Sequence, residues 1–111
     1  MIVINSGNPY YYIFDAINTG NRTKLLQAIV GLRTPNVCDP AGVSILHYAV
    51  MINRISIVRE LLSCGADYNT RTFGQNRSPL YSAYFNGNRS MITLLEHVGA
   101  KPVNDNTGYF P

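Results

Sequence analysis

His47, His97, Cys38 and Cys64 are the side chains in this chain best suited by type to acid–base catalysis, nucleophilic attack or metal ligation near neutral pH. Their spacing favours none of the three. No cysteine or carboxylate stands at metal-ligand spacing from His97. Its neighbour Glu96 is adjacent in sequence, and adjacent residues on a helix do not face each other. His97 falls late in an apolar-periodic stretch, where a cation suits a helix C-terminus. Neither thiol has an activating histidine or basic neighbour. Cys64 precedes Gly65 at a predicted helix end and should be semi-buried and inert, whereas Cys38 falls in a predicted hairpin, is expected to be exposed, and is the better candidate for modification. No glycine-rich phosphate loop, nucleotide fingerprint or hydrolase elbow occurs. The expectation is a chain with no catalytic residue, no metal and no cofactor.

The elements around these residues are short and paired. In the stretch Gly42 to Val50, Leu46, Ala49 and Val50 fall at i, i+3 and i+4 and lay an apolar stripe on one helix. Asn53 interrupts it. Ile57, Val58, Leu61 and Leu62 make a second stripe, and Gly65 follows where a helix end favours a left-handed residue. Each helix spans two or three turns, too few to be stable alone, so both stripes must be buried against neighbours.

This unit resembles the ankyrin repeat, which opens on a threonine-proline-leucine-histidine run followed by alanine. Gly42, Ser44, Leu46, His47 and Ala49 stand in its glycine, threonine, leucine, histidine and alanine places, Ile57-Val58 and Gly65-Ala66-Asp67 match later landmarks, and Asn69 matches the hairpin asparagine. Ile45 replaces the usual proline and Asn53 the usual mid-repeat glycine. The resemblance implies that His47 is structural and bonds backbone across the repeat junction. The run from Leu61 to Asn69 also resembles the ankyrin context hydroxylated on asparagine by oxygen-sensing dioxygenases, so Asn69 is a candidate modification site; the plainer reading is that it caps its hairpin.

Sliding the unit backwards places Ala16 under Ala49, Gly20 under Asn53, Leu25 under Val58 and Asn36 under Asn69. The first repeat is degenerate, with Tyr10-Tyr-Tyr12 for threonine-proline and Leu32-Arg33-Thr34 for glycine-alanine-aspartate, as a capping repeat with one solvated face would be. Sliding forwards places Ser78-Pro79-Leu80-Tyr81-Ser82-Ala83 under Ser44 to Ala49, with Gly87 at the turn and one extra residue in the loop Arg71 to Arg77. Tyr81 in the histidine place puts in doubt the inter-repeat bond that a histidine makes. Repeats are expected at about 9–40, 41–73 and 74–106 of a single domain, 1–111, with a tail at 107–111; the run Asn104 to Pro111 resembles the opening of a fourth repeat, the alternative being a last strand that folds back over the third. Helices are expected at about 11–19, 22–31, 44–52, 55–63, 78–86 and 89–97, with hairpin loops near 34–43, 67–77 and 101–110. The fold class implied is an all-α ankyrin-repeat solenoid of stacked helix-turn-helix units with β-hairpin loops.

Composition narrows the functional classes. An apolar fraction of 46% is that of a folded chain, and a net charge of +3 is spread over nine basic and six acidic residues without a basic run, so nucleic-acid binding is not expected. No segment approaches the ~20 apolar residues of a membrane span. Two cysteines and no leader-like N-terminus point to a reducing compartment, cytoplasmic or nuclear; the acceptor sequences at Asn21, Asn76 and Asn88 would matter only in a secreted protein. Asparagine, isoleucine and tyrosine are frequent and lysine scarce, a bias that fits an AT-rich source such as a virus or intracellular microbe.

The resemblance implies a non-catalytic protein-binding module, adaptor or inhibitor, that docks another protein on its concave face and hairpin tips. The positions implied are Asn18 and Thr19, Met51 and Ile52, Phe85 and Asn86 on the inner helices, and Arg71, Phe73 and Arg77 on the finger loop. Apolar residues at solvent-facing positions mark an interaction patch; the competing expectation is that some of them, Ile52 above all, pack within the stack. Such a module should be monomeric. A fragment of a longer ankyrin scaffold would instead associate end-on.

Overall fold

A computed structural model describes residues 1–101 as six helices in three antiparallel pairs. They are α1 (Tyr12–Thr19) with α2 (Arg22–Leu32), α3 (Ile45–Met51) with α4 (Ile55–Ser63), and α5 (Pro79–Phe85) with α6 (Arg89–His97). The first helices form an inner layer in which α3 packs between α1 and α5, while α2, α4 and α6 each back their own partner. The core runs along this stack through Ile13, Ile17, Leu25, Leu46, Val50, Leu61, Leu80 and Leu95, all buried. This is the helical ankyrin solenoid that the repeat pattern implies. The hairpin loop near residues 101–110, the fourth-repeat opening and the alternative last strand lie outside the described residues.

Local chemistry explains why the helices stop and start where they do. Ser44 caps α3: its Oγ accepts the His47 N–H at 3.0 Å while its own N–H donates to His47 Nδ1 at 3.2 Å, a reciprocal capping box. Ser78 caps α5, with Pro79 following where no amide is needed. Asn21 and Asn88 cap α2 and α6. Between paired helices the chain turns through a left-handed residue each time, at Gly20 (φ 73°), Asn53 (φ 61°) and Gly87 (φ 65°). Asparagine is the residue other than glycine that most readily visits this region, which is why Asn53 substitutes for the expected glycine.

Two features depart from the sequence reading. In the first repeat the left-handed cap falls on Arg33 (φ 64°), because α2 runs through Leu32, so Arg33 and not Leu32 occupies the place of Gly65 (φ 89°). The second is a short parallel pair between β1 (Ile2–Val3) and β2 (Val37–Cys38). The Ile2 N–H donates to the Asn36 carbonyl at 3.0 Å and the Ile4 N–H to the Cys38 carbonyl at 2.9 Å, and this drives Ile4 into the core. A strand of two residues leaves no period to read in a sequence. It has a consequence for Cys38, which is fully buried and not exposed as expected: β1 covers it on one edge and an antiparallel bridge to Ser44 closes the other. Burial, with Asp39 beside it, pushes the thiol's pKa up, away from the reactive thiolate.

Candidate functional site

The inner layer is not flush. Between α3, α5 and the finger loop lies a cleft of about 290 Å³. Its walls are Met51 at the end of α3 and Tyr81 and Phe85 along α5, with His47 at the base and Thr72, Gln75 and Arg77 of the loop above. Tyr81 and Phe85 are one helical turn apart, so their rings share a face and stack, centroids 6.1 Å apart at 23°. The Asn86 side-chain amide donates to the Met51 carbonyl at 3.1 Å, an inter-repeat bond that satisfies an orphan carbonyl at the end of α3.

The inserted loop is shaped by its own backbone. The Thr72 N–H donates to the Arg77 carbonyl at 2.9 Å, and the Arg77 N–H to Thr72 Oγ1 at 3.0 Å. Gly74 (φ 77°) and Asn76 (φ 56°) make the left-handed turns that close it. At its tip the Phe73 N–H donates to the Ala41 carbonyl at 3.0 Å. A Cβ on Gly42 would lie 2.6 Å from the Phe73 amide nitrogen and ring, so the two fingers can touch only because residue 42 is glycine.

His47 ties this loop to α3. Because Nδ1 accepts from Ser44, the proton sits on Nε2, which donates to the Arg77 carbonyl at 2.7 Å. Burial holds the imidazole below the ordinary histidine pKa; the bond to Arg77 and the charge of Asp39 oppose that shift without cancelling it. A neutral, buried ring bonded through both nitrogens, with Ser44 Oγ also 2.7 Å from Nδ1, is a strut. In the third repeat Tyr81 takes the histidine's place, and the guanidinium carbon of Arg77 lies 4.4 Å from its ring centroid.

The structure gathers Met51, Phe85, Asn86 and Arg77 around this cleft and disperses the other expected positions. Met51 is 50% exposed and Phe85 76%. Phe73 is exposed at the finger tip, outside the cleft lining. Ile52 is half-buried and packs against the core. Asn18 and Thr19 are exposed at the end of α1; the Asn18 carbonyl accepts from Arg54, and Thr19 Oγ1 donates back to the Asp15 carbonyl at 2.9 Å. Arg71 donates to the Asn76 carbonyl at 3.2 Å and staples its own loop. Asn69 is exposed, but the carboxylate of Asp67, accepting the Asn69 N–H at 2.8 Å, makes the hairpin turn there. Sequence reasoning passed over Tyr81 and Gln75 as site residues; the signal for Tyr81 was its spacing from Arg77 and Phe85, four residues on either side.

Among the described residues no three His, Cys, Asp or Glu side chains gather as a metal site, and no helix is long and apolar enough to cross a membrane. A family model for ankyrin repeats, in three copies, matches residues 13–106. The chain belongs to the ankyrin-repeat family. This ankyrin chain is also similar to stretches of much longer proteins: 34% identical over 87 residues to a putative palmitoyltransferase ZDHHC13 of Danio rerio, covering 78% of this chain and 13% of that protein. It is likewise 34% identical over 79 residues to palmitoyltransferase ZDHHC17 of Homo sapiens, covering 71% of this chain and 12% of that protein. The chain thus spans only about an eighth of these relatives, and the match falls on what are, in this chain, ankyrin repeats.

Proposed function

We propose that this ankyrin domain is a non-catalytic module that docks another protein in the cleft between α3, α5 and the finger loop. The observation that carries the reading is the pair Met51 and Phe85, large apolar side chains half and three-quarters exposed on neighbouring inner helices, one on each side of a concave space. Side chains of these types are enriched where interfaces bury their cores. The family match supports it, since ankyrin repeats bind proteins and the match contains nothing but repeats.

The test is Met51→Glu combined with Phe85→Glu, measured by titration calorimetry against a purified partner first captured from cell extract. Both positions are exposed, so stability should move by no more than about 0.5 kcal/mol for each. Binding should weaken by about 2–4 kcal/mol, roughly 30- to 1,000-fold. The control, Thr93→Glu with Gln27→Glu, is remote from the cleft and should leave affinity unchanged. A folded double variant that binds normally moves the docking site elsewhere.

A second reading has one observation of its own. Val30 is 75% exposed and lies one turn from the half-buried Leu26 on α2, an apolar strip at the first repeat that a further repeat in a longer scaffold would cover. Under that reading the isolated chain associates end-on, and Val30→Glu abolishes a concentration-dependent dimer in sedimentation velocity; a monomer at all concentrations removes it.

A further inference from the structure

The cleft holds one end of a cation, Arg77. Among the described residues its lining includes no aspartate or glutamate, and the ion pair found there, Arg22 with Glu60 at 2.9 Å, lies on the outer helices. Arg77 is held at both ends. Its backbone is fixed by both Thr72 bonds and by His47 Nε2 at 2.7 Å, and its guanidinium lies over Tyr81, whose other neighbour in the stack is Phe85. A cation–π contact engages the charge of the guanidinium and leaves N–H donors for a planar acceptor. Holding that group in advance removes much of the side-chain entropy that an ion pair costs when it forms. Arg77, Tyr81 and Phe85 thus make a layered wall with a fixed cation at one end and an exposed apolar ring at the other, facing Met51.

We propose that the cleft recognises a partner segment in which an aspartate or glutamate stands close to a large apolar side chain, the carboxylate seated on Arg77 and the apolar group between Met51 and Phe85. This rests on the cleft being the docking site. A fork of parallel N–H donors matches a carboxylate in both geometry and charge, and the pairing is stronger where the surrounding apolar walls exclude water. Tyr81, which departs from the repeat's histidine, is on this account the platform that positions Arg77.

The experiment selects random 12-residue peptides displayed on phage against the immobilised protein, and in parallel against Phe85→Glu. Peptides dependent on Phe85 are then synthesised with amidated C-termini, so that only side-chain carboxylates count. They should share an acidic residue within about three positions of a large apolar one. Changing that acid to its amide should weaken binding to the wild type about tenfold or more and leave binding to Arg77→Gln unchanged, the signature of a coupled pair. Arg77→Lys should fall between, because an ammonium keeps the charge without the fork. Affinity for the acidic peptide should also drop with salt, a readout on wild-type protein that stands even if Arg77→Gln destabilises the loop. Phe85-dependent peptides that carry no acid, or whose acid is dispensable, overturn the inference and leave the docking reading standing. Failure to enrich any peptide over Phe85→Glu overturns both.

Discussion

Removing the His47 ring should cost this small domain a large share of its stability, and the size follows from three contacts. In His47→Ala the Arg77 carbonyl loses the 2.7 Å Nε2–H bond but keeps the Thr72 N–H, so that end costs about 1 kcal/mol, the net worth of one hydrogen bond. The Ser44 N–H, in a buried position, loses the acceptor that Nδ1 provides at 3.2 Å, a desolvation penalty of about 1–3 kcal/mol. The buried ring itself leaves a void worth about a further 1 kcal/mol. With relaxation the total is about 2–4 kcal/mol, which lowers a urea midpoint by about 1–2 M at the m-values usual for small domains. His47→Gln, which can still reach the Arg77 carbonyl, should recover part of it. The same geometry sets the pH dependence. Burial depresses the folded pKa below the unfolded value of about 6.5. The unfolded chain therefore takes up the proton first, so this contribution is complete above about pH 6.5 and declines as pH falls below it. Denaturation curves for wild type and His47→Ala should converge on acidification. A loss below about 0.5 kcal/mol at pH 7.5, or curves that run parallel with pH, would show that the ring is no strut.

Other perturbations separate conformation from contact. Gly65→Val meets nothing within 4 Å yet sits at φ 89°, so it should cost about 1–3 kcal/mol from backbone strain alone, read as a shift in thermal or urea midpoint. Gly42→Ala, at φ 79° with a clash against the Phe73 amide, should cost at least as much although alanine is the smaller residue, and should raise hydrogen exchange at Phe73. With a colorimetric thiol reagent the native protein should titrate one cysteine, the half-buried Cys64, and Cys38 only after denaturant is added; two fast equivalents would mean that β1 does not cover Cys38.

How far the sequence carries the reader depends on what each feature leaves in it. The helix pairs were legible because two stripes per repeat recur at a fixed period and end at residues that tolerate positive φ; Asn53 could be placed in a glycine's position for that reason. The fate of Cys38 was not legible. Its burial depends on a two-residue strand some 35 positions earlier in the chain, a pairing that no local pattern encodes. The patch was partly legible. The family resemblance places Met51 and Phe85 at solvent-facing positions, but it cannot tell that Ile52, one residue on, packs against the core. Nor can it say that Arg71 bonds within its loop while Arg77, six residues later, reaches over a neighbouring ring. Those outcomes are set by how the inserted loop closes.

The two repeats that flank the cleft use one position for different ends. In the second, the ring after the leucine is an imidazole, small enough to be buried and able to accept from its own cap and donate to the next loop at once. In the third it is the phenol ring of Tyr81, larger and only half-buried, which lies on the cleft side of α5 and meets Arg77 there. The two act on the same residue: His47 holds the backbone of Arg77 and Tyr81 holds its side chain. A tyrosine at position 47 would have no Nδ1 to accept the Ser44 N–H, and a histidine at 81 would offer Arg77 a smaller face that becomes repulsive when protonated. The departure of the third repeat from its family pattern therefore lies where the geometry of the cleft is decided, and Tyr81→His is the substitution that should restore the pattern while loosening Arg77.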